Sequence, residues 1–317
     1  MCGIAGIQLR ERGPIGSHLV KMCQAMRHRG FDSTGFALYG DPDPARLILR
    51  LRFPDAAGWV AGTDAIISGI RELGGDQHAE HGVDDAVGAP DRFVRLQVRY
   101  AGDIRRLAVM VDEAAPGVEL QSIGHSLEII KDAGDAEAVD ARHHVSAFQG
   151  SHGLGHVRLA TESIVSVAYG HPFWAEPFPD VSIVHNGQLT NYFTLRRLLE
   201  QDGFRFQTGN DSELIAVYLA DKMSRGQTFY EALKDSVYEL DGCFAYLLSM
   251  PDRIGSAKDM FAIKSIVVAN VGGDVAMATE EQAIRAVYTE ELDDTQHPDP
   301  RSVFVWERDG RVLQEIV

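Results

Sequence analysis

The spacing of apolar positions divides the chain into three textures. Ile4 to Leu9 is a short apolar run that reads as a strand, and Glu11-Arg-Gly-Pro-Ile-Gly16 reads as the turn after it. Leu19, Met22, Cys23 and Met26 then recur at i, i+3, i+4 and i+7, the apolar face of a helix, with Ser17 as its expected N-cap. On that face Cys23 reads as packed core. The helix closes near His28-Arg29-Gly30, and Phe36 to Tyr39 is predicted as the next strand.

From about residue 45 to 145 the pattern alternates between periods. Arg46 to Phe53 reads as a strand, Ala56 to Leu73 as a helix ending at Gly74-Gly75, and Gln77 to Pro90 as a polar loop. Val94, Leu96, Val98 and Tyr100 alternate with Arg95, Gln97 and Arg99, which predicts a half-buried strand. Asp103 is placed to cap a helix with the stripe Ile104, Leu107, Ala108 and Val111, and Val118 to Ile123 follows as a strand. Strand–helix–strand–helix–strand is the order of a small α/β insertion of ferredoxin-like kind. Past Gly150, short strands alternate with turns: Gly155 to Arg158, Val181 to Val184, Phe244 to Leu248 and Phe261 to Ile263. Helices are expected near Ser212 to Met223 and Thr228 to Leu240, and Gly272-Gly-Asp274 is read as a hairpin turn. Such a mixture predicts α+β layers with largely antiparallel sheets.

Composition narrows this. The chain has 317 residues, 45% hydrophobic and 24% charged, so it has apolar surface enough for a core and is not a disordered chain. Its 30 basic and 46 acidic residues leave a net charge of −16, the wrong sign for nucleic-acid binding. Three cysteines, Cys2, Cys23 and Cys243, fit a reduced cytoplasmic setting. No apolar run is long enough to span a membrane, and MCGIAGIQLRER lacks the basic opening of a signal peptide. His78, His81, His125, His143, His144, His152 and His156 show no short ligand spacing, so no metal site is assigned. There is no Walker A sequence and no GxGxxG fingerprint. Phe173, Trp174 and Phe178 read as core or interface rather than as a cofactor site.

Cys2 carries the most chemistry. With Met1 removed, its thiol and its own α-amine share one residue, and the amine titrates near neutrality, where it can act as the thiol's base. By itself, Cys2 reads first as the start of a buried strand. Four further strings follow in order: His28-Arg-Gly-Phe-Asp-Ser-Thr-Gly35, Gly155-His-Val-Arg-Leu-Ala-Thr161, His185-Asn-Gly187 and Gly209-Asn-Asp-Ser-Glu213. Singly, Arg158 also reads as a surface ion-pair partner, Asn186-Gly187 as a hairpin turn and Asp211 as a helix cap.

Together with Cys2-Gly-Ile-Ala-Gly6, this set resembles the class II glutamine amidotransferases, which are N-terminal-nucleophile glutaminases. The likeness covers about residues 2–40 and 150–285. It implies a four-layer α/β/β/α sandwich spanning 1–317, with residues 45–145 as an α/β insertion. It implies Cys2 as nucleophile, and the Asn186 side chain with the Gly187 N–H as oxyanion donors. Arg158 and Asp211 match the residues that hold the substrate's α-carboxylate and α-ammonium. Thr161 is assigned to the same pocket, and Arg29, with Gly30 and Asp32, to the loop that orders the N-terminus. Leu159 and Glu162-Ser163 depart from the hexosamine-type members, and Ala168-Tyr-Gly-His-Pro-Phe-Trp-Ala175 is closer to the glutamate-synthase-like branch. That branch implies a subunit of a hetero-oligomer of glutamate synthase or N-methylglutamate synthase type, with no cofactor in this chain and with FMN and iron–sulfur clusters in its partners. The alternatives are a non-catalytic glutamate- or glutamine-binding subunit, or a hydrolase of other amides; the latter is disfavoured because Arg158 and Asp211 match the two charges of a free amino acid.

Overall fold

Two antiparallel sheets stack face to face, each backed by helices. The computed structural model describes residues 2–77, 82–84, 90–159, 166–289, 292 and 295–317. The chain begins β1 (Gly3–Gly13), α1 (Ile15–Ala25), β2 (Ser33–Tyr39), β3 (Leu47–Phe53), α2 (Trp59–Glu72), β4 (Asp76–Gln77) and β5 (Gly82–Asp84). It continues through β6 (Arg92–Arg99), α3 (Ile104–Ala114), β7 (Glu119–Gly124), β8 (Leu127–Ala133), α4 (Ala136–His143), β9 (Gly150–Arg158) and β10 (Phe173–Trp174). Next come β11 (Ser182–Leu189), α5 (Tyr192–Gln201), α6 (Asp211–Ser224), α7 (Phe229–Glu239), β12 (Gly242–Met250) and β13 (Arg253–Lys258). The last elements are β14 (Val267–Val271), β15 (Asp274–Ala278), α8 (Glu281–Arg285), β16 (Thr295–Gln296), β17 (Ser302–Glu307) and β18 (Val312–Ile316).

The first sheet has the order β16-β14-β15-β1-β9-β2-β8 and the second β10-β11-β12-β13-β17-β18. Strand alternation assigns each side chain to a layer. Ile4, Ala37 and Leu154 of the first sheet share a core with Val184, Ala245 and Leu247 of the second. Their sequence neighbours Ala5, Ile7, Phe36 and Leu38 point the other way, onto Leu19, Met22, Cys23 and Met26 of α1. On the far side Ile183, Phe244, Tyr246 and Leu248 meet Leu214 of α6 and Leu233 of α7. The order is therefore helix, sheet, sheet, helix: the four-layer N-terminal-nucleophile sandwich that the sequence motifs imply.

A third sheet, β4-β6-β3-β7 with β5 beside β6, occupies residues 47–124. Every pairing in it is antiparallel, and with α2 and α3 in the connections this is the ferredoxin-like order. The edge strand β4 begins one residue ahead of the stretch read as loop. β8 is hydrogen bonded to β2 and belongs to the first sheet. The polar face of β6 is only partly turned to water, Arg99 being exposed and Arg95 and Gln97 half-buried. Arg50 and Arg95 both donate to Glu128 of β8, at 2.9 and 2.7 Å, and Arg52 and Arg142 clasp Asp91. Burial alone would raise the Glu128 carboxyl, but Arg50 and Arg95 outweigh it and hold it below its ordinary value.

Several local expectations need correcting. Ser17 is not the cap of α1: the helix starts at Ile15 behind Pro14, whose φ of −77° suits a helix entrance. Gly16, whose N–H donates to Phe148 O, lets that segment lie against the first turn. Phe261 to Ile263 is not a strand. The Asp259 carboxylate accepts from the N–H groups of Phe261 and Ala262 and curls the chain into a turn, with Phe261 and Ile263 exposed. Other expectations stand: Asp103 caps α3, and Gly272-Gly273, with φ of 61° and 98°, turns β14 into β15. The helix expected near Thr228 is α7, closed at its N-terminus by a capping box of Thr228 and Glu231.

Between the two large sheets lies a polar cross-link. Tyr39 stacks on His152 at 4.2 Å, and its hydroxyl meets Ser249 O and Ser182 Oγ at 2.9 Å each. His152 Nε2 donates to Met250 O at 2.7 Å. Burial pushes His152 down to about 4 and His156 to about 3, and holds His171 well below its usual value. All three rings are neutral in the fold but take up protons near pH 6.5 once unfolded. The stability they contribute is whole above pH 6.5 and is lost as pH falls toward 4, by up to about 1.4 kcal/mol per pH unit for each ring. Urea midpoints should therefore drop from pH 7.5 to 5, and His152→Gln should flatten that slope; a midpoint independent of pH would contradict it.

Candidate functional site

β1 lies between β15 and β9, so Cys2 stands where a central strand begins. Its carbonyl is gripped from two sides. Arg29 Nε and Asn186 Nδ2 each donate to Cys2 O at 3.1 Å. The Arg29 guanidinium also pairs with Glu280, which His28 approaches at 3.1 Å. The thiol is half-buried, 3.9 Å from Leu159 O.

The Arg29-Gly30 loop owes its residues to a close approach. A Cβ on Gly30 would lie 2.3 Å from the Arg158 carbonyl carbon, so no larger residue fits. Beside it the Asp32 N–H donates to Arg158 O at 3.1 Å. Arg158 ends β9, buried at 5% exposure. Burial lowers its proton affinity, with Cys2 and Asp32 acting in the opposite sense.

Asn186-Gly187 is not a hairpin turn. It lies inside β11, opposite Ala245 and Phe244 of β12. Gly187 has φ +157°, and a Cβ there would come within 2.2 Å of Cys243 O and 2.7 Å of His185 Nε2. Asp211 is not the cap of α6 either. Asn210 is, its side chain accepting from Ser212 N–H, and Asp211 is the first helical residue. That frees the Asp211 carboxylate to accept from Leu189 N–H at 2.9 Å and to sit 3.5 Å from His185 Nδ1. Burial would raise this carboxyl, but the His185 ring and these hydrogen bonds outweigh it, so it is held below the ordinary carboxylate value.

Under the site runs a network of groups to which the sequence reading gave no role. His171 Nδ1 accepts from His185 N–H at 3.2 Å, which leaves the ring proton on Nε2 to be donated to Ser212 Oγ at 3.1 Å. Ser212 Oγ in turn lies 2.9 Å from His185 Nδ1. His156 stacks on His171 with ring centres 4.0 Å apart. His171, His185 and Ser212 all lie in strings singled out by the motifs, but nothing in spacing marks them as one network; only the folding of β9, β10, β11 and α6 together does.

These groups open on one cavity of about 600 Å³. Cys2, Arg158, Asn186, Gly187 and Asp211 all line it, as do Lys264, Tyr169 and Cys243. Arg29 is not in its wall; it bears on the cavity through its hydrogen bond to the Cys2 carbonyl. Thr161 lies outside the described residues. The wall thus brings together a thiol, a side-chain amide, a guanidinium and a carboxylate. Chemically this suits a zwitterion whose reactive group lies between its charges and the thiol. Among the described residues, no three His, Cys, Asp or Glu side chains converge to hold a metal ion.

Residues 156–286 match the family described as glutamine amidotransferase domain. A putative glutamine amidotransferase of Methanothermobacter thermautotrophicus is 32% identical over 315 residues, 97% of this chain and 100% of that one. A glutamine amidotransferase-like protein of Rhizobium meliloti, GlxB, is 32% identical over 97% of this chain and 98% of its own length. The solved glutamine phosphoribosylpyrophosphate amidotransferase of B. subtilis superposes on 99% of this chain with a TM-score of 0.61 at 18% identity. The chain spans about half of that structure, 49% of its length, and the likeness speaks for the fold.

Ser212→Ala should cost about 1–3 kcal/mol, since it strips a buried partner from His171 Nε2–H and from His185 Nδ1. Urea unfolding at pH 7.5 measures it. An unchanged midpoint would mean that the hydroxyl does not bridge the two rings.

Proposed function

The chain belongs to the class II glutamine amidotransferase family, and we propose that it serves as the glutaminase subunit of a larger synthase, using Cys2 as an N-terminal nucleophile. The observation that carries this reading is the convergence of Cys2, Arg158, Asn186, Gly187 and Asp211, drawn from four distant stretches, on one cavity.

The mechanism runs as follows. Removal of Met1 frees the α-amine of Cys2 to take the thiol proton. Glutamine enters with its α-carboxylate on Arg158 and its α-ammonium on Asp211; Thr161 belongs to the same pocket by the family resemblance. The thiolate adds to the side-chain amide carbon, and the oxyanion is held by the Asn186 amide and the Gly187 N–H. The Cys2 amine passes its proton to the departing nitrogen, so ammonia leaves and a γ-glutamyl thioester remains. Water then hydrolyses the thioester to glutamate and regenerates the thiol. Arg29 and Asn186 hold the Cys2 carbonyl, so the nucleophile stays in line with its donors.

The nitrogen passes to a partner. We assign that partner to the glutamate synthase or N-methylglutamate synthase class, carrying flavin and iron–sulfur clusters, in the cytoplasm. Exposed apolar side chains support docking near the cavity. Phe193, in its wall, is 82% exposed, and Phe261 and Ile263 flank the loop that leads to Lys264.

Cys2→Ala should abolish glutamate release from glutamine, by roughly 10³-fold or more, while the melting temperature stays within a few degrees of the unmodified protein. A variant that releases glutamate at the original rate would refute the nucleophile assignment.

A further inference from the structure

A second cavity, of about 290 Å³, lies where α3 and β7 meet the sandwich. It backs onto one wall of the Cys2 cavity. Ala168 and Thr208 face it, while their neighbours Tyr169 and Gly209 face the other side. Its lining mixes polar and apolar side chains, open to solvent at Gly117, Arg205 and Gln207, and its hydrogen bonding is incomplete in a particular way. Gln121 is 5% exposed, and its Nε2 donor has no partner. Glu119 accepts from Arg52 at Oε1, 2.7 Å away, while its buried Oε2 has no partner. Glu176, 6% exposed, accepts from Gln207 at Oε2.

The cations of this wall are committed elsewhere. Lys131 Nζ turns to the carbonyls of Gly170 at 2.9 Å, Ala168 at 3.4 Å and Pro172 at 3.5 Å. Arg205 is paired with Asp112 at 2.5 Å. Burial raises the Glu176 carboxyl above its ordinary value despite the Gln207 bond. Four acids line the space: Asp112 is paired with Arg205, Glu119 with Arg52 through Oε1, and Glu213 accepts from the N–H groups of Gln207 and Thr208 and from the Thr208 hydroxyl. That leaves Glu176, which accepts from the neutral Gln207 amide, the second oxygen of Glu119 and the Gln121 amide to meet a ligand. A buried carboxylate and a buried amide both cost stability until a partner arrives.

We propose that this cavity binds a small primary amine carrying a neutral oxygen, its ammonium held by Glu176 and Glu119 and its oxygen accepting from the Gln121 amide. A carboxylate in place of the neutral oxygen would face the same two acids, so amino alcohols and amino amides are the ligand class, and free amino acids are excluded. The site is separate from glutamine hydrolysis and needs no turnover to be detected.

Calorimetric titration of the full chain with ethanolamine hydrochloride at pH 7.5, with ionic strength held by sodium chloride, tests it. The expected result is saturable binding at one site, with no binding of ethylene glycol or glycine. Glu176→Gln and, separately, Gln121→Leu should each weaken it at least tenfold, as loss of a charge-assisted or buried hydrogen bond does. Asp211→Asn, in the glutamine cavity, should leave it unchanged. Absence of saturable heat would overturn the proposal. So would equal affinity in both cavity variants, binding of glycine as tight as ethanolamine, or loss of binding on Asp211→Asn.

Discussion

The site depends on holding Cys2 still, because the residue that leads into a strand frays unless it is tied down. Two constraints stop it. β1 is paired on both sides, by β15 and β9, so the terminus enters the middle of a sheet rather than its edge. Two donors, Arg29 from the loop after α1 and Asn186 from the opposite sheet, then fix the last carbonyl before that strand. The Asn186 bond crosses from one sheet to the other, so the position of Cys2 is coupled to the packing of the whole sandwich.

The same coupling explains the small residues around it. Gly30 exists to let the Arg29 loop touch the Arg158 backbone, and Gly187 to let β11 pass Cys243 and the His185 ring. Beneath them, the Ser212 hydroxyl joins His171 and His185, and the Asp211 carboxylate is drawn toward the strand end at Leu189. Helix α6 therefore reaches the cavity through its first two residues, and its cap, Asn210, leaves Asp211 available for binding.

Much of this was legible in the chain. Alternation in β6 and the stripe of α1 named their buried faces, and short apolar runs marked β2, β11 and β12, which are buried on both sides. What stayed hidden depended on neighbours. The polar face of β6 reads as solvent-facing, and only the fold supplies Glu128 to receive Arg95 and Arg142 to pair with Asp91 at the start of the strand. Phe261 to Ile263 is apolar like a strand, but the Asp259 carboxylate two positions before Phe261 holds it in a turn. Asn-Gly is the commonest hairpin pair, yet here Gly187 answers a steric demand inside a strand. For the site, the ordered strings exposed Cys2, Arg158, Asn186, Gly187 and Asp211, whereas the linkage of His171 to Ser212 is a property of tertiary packing.

The central claim is that Cys2, freed of Met1, is a nucleophile within reach of a bound glutamine. Intact mass of the purified chain, before and after incubation with the glutamine-mimicking diazo-ketone 6-diazo-5-oxo-norleucine, tests it most directly. The account predicts a mass lacking Met1 that gains a single adduct, located on Cys2 by peptide mapping and blocked by excess glutamine. A mass that retains Met1 and gains no adduct would contradict it.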